Sequence, residues 1–192
     1  MDDFAIFFDL GWRHIISTEA LDHQLFMLAL AAIYLVNDWK KVLILVTAFT
    51  IGHSLTLILS AYDIIAVNSG WVEFLIPLSI VVTAFLNLIK TEKHYGQYRA
   101  QYGLALFFGL VHGLGFANTI RPLLAKSQGI TMPLLSFNIG LEAGQLLVVG
   151  LILLLSYFFV NTLKLKRKWW VWGLSVSALV VAGYICIERW PM

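Results

Sequence analysis

Long apolar runs, separated by short stretches that collect charge and tryptophan, organise this chain. A helix needs about 20 mostly apolar residues to cross a hydrocarbon layer. Six runs qualify: about 20–37, 41–62, 70–89, 101–120, 132–160 and 169–187. They are continuous rather than alternating, which argues against a β-barrel. Residues 2–17 (DDFAIFFDLGWRHIIS) are shorter, mixed in polarity and rich in aromatics. That pattern predicts a helix lying on the membrane surface, within an interfacial segment 1–19. No low-complexity tract or polar linker interrupts the chain. The expectation is one all-α domain over 1–192, a polytopic membrane helical bundle of about six transmembrane helices plus an N-terminal interfacial helix.

Composition supports this reading. The chain is 60% hydrophobic and only 12% charged, with a mean hydropathy of +0.83. Soluble domains carry about 25% charge. The net charge of +2 is small and offers no basic face, which argues against nucleic-acid binding. Lys40, Lys41, Lys90, Lys93, Arg99, Lys164, Lys166, Arg167 and Lys168 cluster in loops on one predicted side. Arg13, Arg121, Lys126 and Arg189 remain for the other. The bias predicts that the first set is cytoplasmic and that both termini lie outside. Trp39, Trp71, Trp169, Trp170 and Trp190 fall near span ends, as an aromatic belt does. The single Cys186 rules out an intrachain disulfide or a cysteine-rich zinc site. The acidic Met-Asp-Asp start lacks the basic region of a cleavable signal peptide.

Against this apolar background the ionisable groups stand out. A charged side chain at the bilayer centre costs about 2.5–3.5 kcal/mol on insertion scales. His53, His112 and Glu142 nevertheless sit inside apolar runs. Asp22 and His23 open another, with His14 and Glu19 just before it. At 1.5 Å per residue His53 lies ~18 Å from Lys41, His112 ~16 Å from Gln101, and Glu142 ~15 Å into its span. The groups thus descend from the outer face to mid-depth.

Each has a plainer reading. Asn138, Glu142 and Gln145 share a helix face, so Glu142 could be a protonated packing residue. His53 lies among Thr50, Ser54 and Thr56, which suit a polar seam between helices. Around His112, Gly109, Gly113 and Gly115 favour close helix approach, and Asn118 adds a polar group further out. Asp22 suits a helix N-terminus. Because adjacent helical residues diverge by ~100°, one arrangement makes His23 a ligand and Asp22 the partner of another imidazole. His94 in its charged loop reads as solvated. Phe49–Leu55 and Phe108–Leu114 share a Phe four residues before a His and a Leu two after, suggesting a parallel repeat. Imidazole and carboxylate without thiolate suit nickel, zinc, copper or iron rather than calcium.

The stretches GWRHIISTEALDHQLFMLAL, LILVTAFTIGHSLTL, FFGLVHGLGFA and SFNIGLEAGQL, in order over residues 11–146, resemble the HupE/UreJ family of bacterial membrane proteins. The resemblance implies a multi-pass protein of the bacterial inner membrane linked to nickel or cobalt uptake. It assigns His14, Asp22 and His23 to a first-helix motif, His112 to a later histidine-glycine motif, Glu142 to the acid that follows, and His53 to a Gly-His-Ser segment. Here seven residues separate His14 from Asp22, where better-known members have five. In a continuous helix the two extra residues would rotate His14 by ~200°. Either a loop or bulge restores the geometry, or His14 leaves the site.

The leading expectation is a permease for a divalent transition metal (nickel, cobalt or zinc), held by His14, Asp22, His23, His53, His112 and Glu142. Ser54, Asn118, Asn138 and Gln145 would support the site. The alternative is a membrane-embedded, zinc-like hydrolase acting on a lipid, lipoprotein or peptide from the outer leaflet, with Asp22 or Glu142 as general base. A metal-free packing protein is the third. Membrane lipid and the metal ion are the expected partners, with a homo-oligomer left open.

Overall fold

The computed structural model describes residues 3–65, 67–89, 99–124 and 129–191. Among these residues are seven α-helices and no strand: α1 (Asp3–Ile16), α2 (Leu21–Ala31), α3 (Trp39–Ala61), α4 (Ser69–Ile89), α5 (Arg99–Leu124), α6 (Thr131–Ser156) and α7 (Arg167–Glu188). Helices α3 to α7 are each long and apolar enough to cross a membrane, α6 with a π-helical extension through Thr162. They match the last five predicted runs closely, and the protein is a multi-pass membrane bundle. Lys90, Lys93, His94 and Lys126 lie outside the described residues.

Contacts define the two ends. At the basic end the Arg167 guanidinium donates to the Ile33 carbonyl, and the buried Tyr34 hydroxyl donates to Gln101 at 3.0 Å. At the far end Arg121 pairs with Asp63 at 2.9 Å and donates to the Ser60 carbonyl, while Trp190 meets Phe74. Helices α3, α5 and α7 therefore run from the basic end to the far end, and α4 and α6 return. Three pairs pack lengthwise: α3 with α5, α1 with α6, and α4 with α7.

The N-terminal region departs from the prediction. The Ser136 hydroxyl donates to the Phe4 carbonyl, Gly140 abuts the backbone of Phe8, and Gly144 abuts Ile15. Residue numbers rise together, so α1 runs parallel to α6 from the far end inward. A helix aligned with a membrane crossing cannot lie on the membrane surface, and the interfacial assignment of 1–19 is corrected accordingly. The cause is close backbone contact: Gly11 and Gly140 present no side chain, so α1 and α6 touch directly. Helix α2 continues in the same direction, since Asn87 near the basic end of α4 donates to the Ala29 carbonyl at 2.6 Å. Its 11 residues give roughly 16 Å, about half the hydrocarbon thickness. The run at 20–37 is therefore not a span by itself. Helices α1 and α2 form one broken crossing of roughly 37 Å.

The break is built from polar residues. Ser17 is extended (φ −67°, ψ 158°) and ends α1, and a 3-10 turn follows over Thr18–Ala20. Carbonyls exposed at such a break need partners, because no water in the bilayer core would supply them. The Gln24 side-chain amide donates to the carbonyls of Ile15 at 3.1 Å and Ser17 at 2.9 Å, tying the first turn of α2 to the last turn of α1.

Candidate metal centre

The broken crossing places His14 just before the break and His23 just after it. Their ring centroids are 4.5 Å apart. The 3-10 turn absorbs the additional residues, so His14 lies beside the other rings. From α5, His112 approaches His23 at 4.8 Å; from α3, His53 lies 5.6 Å from His14 and 6.2 Å from His23. Four imidazoles from four helices thus gather at one depth. His53, His112 and His23 are 0%, 1% and 5% exposed, and His14 is half-buried at the edge.

Asp22 does not serve a distant imidazole. Its Oδ1 accepts the backbone N–H of His23 at 2.9 Å and the Nδ1–H of the same ring at 3.1 Å. The ~100° divergence of neighbouring helical residues is overcome because the carboxylate folds back over the helix N-terminus, where it also satisfies an unpaired backbone donor. With Nδ1 donating to an acceptor-only carboxylate, Nε2 presents its lone pair to the other rings. Arg189, beyond the far end of α7, places a guanidinium nitrogen 3.7 Å from Oδ2 of Asp22.

Six ring nitrogens in this cluster are buried without a partner among the described residues: Nε2 of His14 and His23, and both nitrogens of His53 and His112. Leaving a buried polar atom unpaired costs about 1–3 kcal/mol, so these nitrogens call for a partner from outside the chain. Several imidazole nitrogens suit a divalent transition cation. Among the described residues no three His, Cys, Asp or Glu side chains are already arranged to hold a metal ion. The rings pack against one another at interplanar angles of 35° to 68°.

Phenylalanines enclose the cluster. Phe116 lies 4.0 Å from His14, and Phe137 stacks between Phe116 and His53. On the basic side Phe26, Phe49 and Phe108 form a floor, with Phe26 and Phe49 5.1 and 5.2 Å from His112. On the far side a cleft of about 540 Å³ opens between α1 and α5, lined in part by Arg13, His14, Thr18, Glu19, Phe116 and Thr119. Leu10 and Arg13 also line a second cleft, which reaches Asp3, Asp9 and Leu123. The two clefts share Leu10 and Arg13 and lie on the far side of His14.

The other predicted residues lie elsewhere. The Asn138–Glu142–Gln145 face meets a hydroxyl seam on α3: Thr47 donates to Glu142 at 2.7 Å and Thr50 to Gln145 at 2.9 Å. Thr47 is about 9 Å further toward the basic end than His53 along α3. Asn138 Oδ1 is buried without a partner, Ser54 donates to its own helix at the Thr50 carbonyl, and Asn118 is exposed. Arg189 and the phenylalanine enclosure escaped the sequence reading. Only the density of Phe near each histidine hinted at the latter.

No curated protein and no solved structure matches the chain. The family described as HupE / UreJ protein matches residues 1–189, almost the whole length, and covers every helix that contributes to the imidazole cluster. This multi-pass bundle of gathered histidines belongs to the HupE/UreJ family.

Proposed function

We propose that the protein transports a divalent transition-metal cation, nickel- or cobalt-like, across the bacterial inner membrane. The supporting observation is the set of six partnerless buried imidazole nitrogens at the end of a polar cleft. The cation enters from the far end, sheds water along the α1–α5 cleft, and is taken up by His14, His23, His53 and His112. Asp22, through His23 Nδ1, orients the ring and keeps Nε2 available. The family's association with nickel and cobalt handling agrees in metal class. By the positive-inside bias the basic end faces the cytoplasm and the far end faces outward.

One observation favours a hydrolase reading: the Phe26–Phe49–Phe108 floor leaves the cluster accessible from one side, as an enzyme needs and a transporter must overcome. Against it, neither proposed base is poised. Asp22 is engaged by His23 and Arg189, and Glu142 bonds Thr47 away from the rings. The test is uptake of radiolabelled Ni²⁺ or Co²⁺ by cells expressing the chain. Uptake above vector cells, lost in His112→Ala, is expected; uptake unchanged by that substitution overturns the proposal. Purified protein that retains one zinc per chain through chelation and takes up no metal would favour the hydrolase.

A further inference from the structure

The glycine contacts of the two parallel helix pairs obey one rule. Gly140 on α6 abuts the Phe8 carbonyl and Trp12 nitrogen of α1. Gly52 on α3 abuts the Leu106 carbonyl and Leu110 nitrogen of α5. Gly11 meets the Phe137 carbonyl as Gly109 meets that of Phe49. Gly144 meets Ile15, and Gly113 meets Thr56, the same pair of positions with the small residue exchanged. A single mapping relates all of these: α1 onto α5, displaced by 98 residues, and α6 onto α3, displaced by 88. Under it Gly11-x-x-His14 matches Gly109-x-x-His112, and Phe137-x-Ile139-Gly140 matches Phe49-x-Ile51-Gly52.

The mapped helices run in opposite directions, α1 toward the basic end and α5 away from it. The axis relating them therefore lies across the bundle, in the membrane plane. The site obeys it too. His14 and Phe137 lie 5.8 Å apart at 47°, and their counterparts His112 and Phe49 lie 5.2 Å apart at 50°. His23 is 4.5 Å from His14 and 4.8 Å from His112; His53 is 6.1 Å from Phe137 and 6.0 Å from Phe49. Both rings sit near the axis. The parallel repeat of α3 and α5 expected from sequence is thus replaced by an inverted one. Helix α2, with Asp22 and His23, is an insertion in the first copy.

We infer that the α1/α6 and α3/α5 pairs are the two moving bodies of the protein, exchanging conformations about this axis to carry the cation to the basic end. The inference rests on the transport reading and names its route. Inverted repeats about a site at mid-depth, with a broken helix contributing, allow one body to rock against the other. The mapping also shows where the second opening forms. Leu10 and His14, which line the far-end cleft, correspond to Phe108 and His112, which border the closed floor. Exchange closes the first gap and opens the second, with Phe26 of α2 displaced from between them.

The test bridges the bodies. In a Cys186→Ser background, Leu10→Cys with Leu123→Cys spans the second cleft between α1 and α5, and Asp63→Cys with Arg121→Cys joins the turn after α3 to α5, within one body. Asp9→Cys with Leu123→Cys is a second cleft-spanning variant should the first fold poorly. Each is treated in membrane vesicles with a reducible bifunctional thiol reagent, and Ni²⁺ uptake is measured before bridging, after it, and after reduction. The expected result is at least a tenfold loss from either cleft bridge, restored by reduction, and less than a twofold change from the bridge within the pair. Unchanged uptake across a bridged cleft overturns the inference and leaves the transport reading standing. Loss of uptake from both kinds of bridge also overturns it, since α3 and α5 then do not move as one body. Absence of uptake in unbridged wild-type protein overturns the transport reading and this inference together.

Discussion

One carboxylate oxygen of Asp22 holds both the backbone N–H and the imidazole Nδ1–H of its own neighbour, His23. The contact caps α2 and orients a ring at once. Asp22→Asn keeps an acceptor oxygen but loses the acceptor-only carboxylate that fixes the His23 tautomer. Ni²⁺ affinity is expected to fall about 10–100-fold with helicity unchanged. Titration calorimetry and circular dichroism in detergent check this, and wild-type affinity in the variant would refute the role.

His23 touches the other three imidazoles, whereas His14 sits at the cleft edge. His23→Ala is therefore expected to weaken Ni²⁺ binding more than His14→Ala, by about tenfold, or about 1.4 kcal/mol. Competition against a metal-responsive dye measures both. Equal losses would show that the rings contribute alike.

Glycines of this bundle fall into two kinds. A Cβ on Gly52 would overlap the Leu106 carbonyl, while one on Gly183 meets nothing within 4 Å. Gly52→Ala should destabilise by roughly 1–3 kcal/mol through overpacking. Gly183→Ala should be neutral or stabilise by about 0.5–1 kcal/mol, as helix propensity alone dictates. Thermal unfolding of both variants in one detergent separates the cases, and matching midpoints would show that α3 and α5 do not touch as described.

Gln24 secures the break by donating to two carbonyls. Gln24→Glu preserves size and, when ionised, cannot donate. The Ser17 carbonyl keeps the Ala20 N–H at 3.1 Å, so the main loss falls on the Ile15 carbonyl and should cost about 1–3 kcal/mol. Because His14 and His23 flank the break, Ni²⁺ affinity should fall as well. Lowered stability with intact affinity would mean that the imidazoles are placed independently of this tie.

The histidines were legible in the sequence because an ionisable group in an apolar run is conspicuous, and depth along a helix follows from counting residues. The course of the first crossing was not. Hydropathy measures the greasiness of a window, and α1 carries Asp9 and Arg13, paired at 2.8 Å, on its exposed face. Its average therefore read as a surface helix, although Gly11 lies against the backbone of α6. Glu142 shows the complementary gap: spacing placed it correctly on one face with Asn138 and Gln145 but could not say which helix that face meets. The inverted repeat escaped because each pair of related helices keeps only a few identical residues, and one copy had been laid flat on the membrane.

The turn over Thr18–Ala20 means that no continuous helix sets the spacing between the first two histidines. His53 and His112 ride on uninterrupted helices of one pair and keep their mutual spacing, while His14 and His23 stand on either side of a joint. The number of residues in that joint is then an adjustable bite. On the transport reading, lengthening or trimming it would alter the preferred ionic radius while leaving the scaffold intact, and cargo preference would diverge through insertions there without exchange of a single histidine.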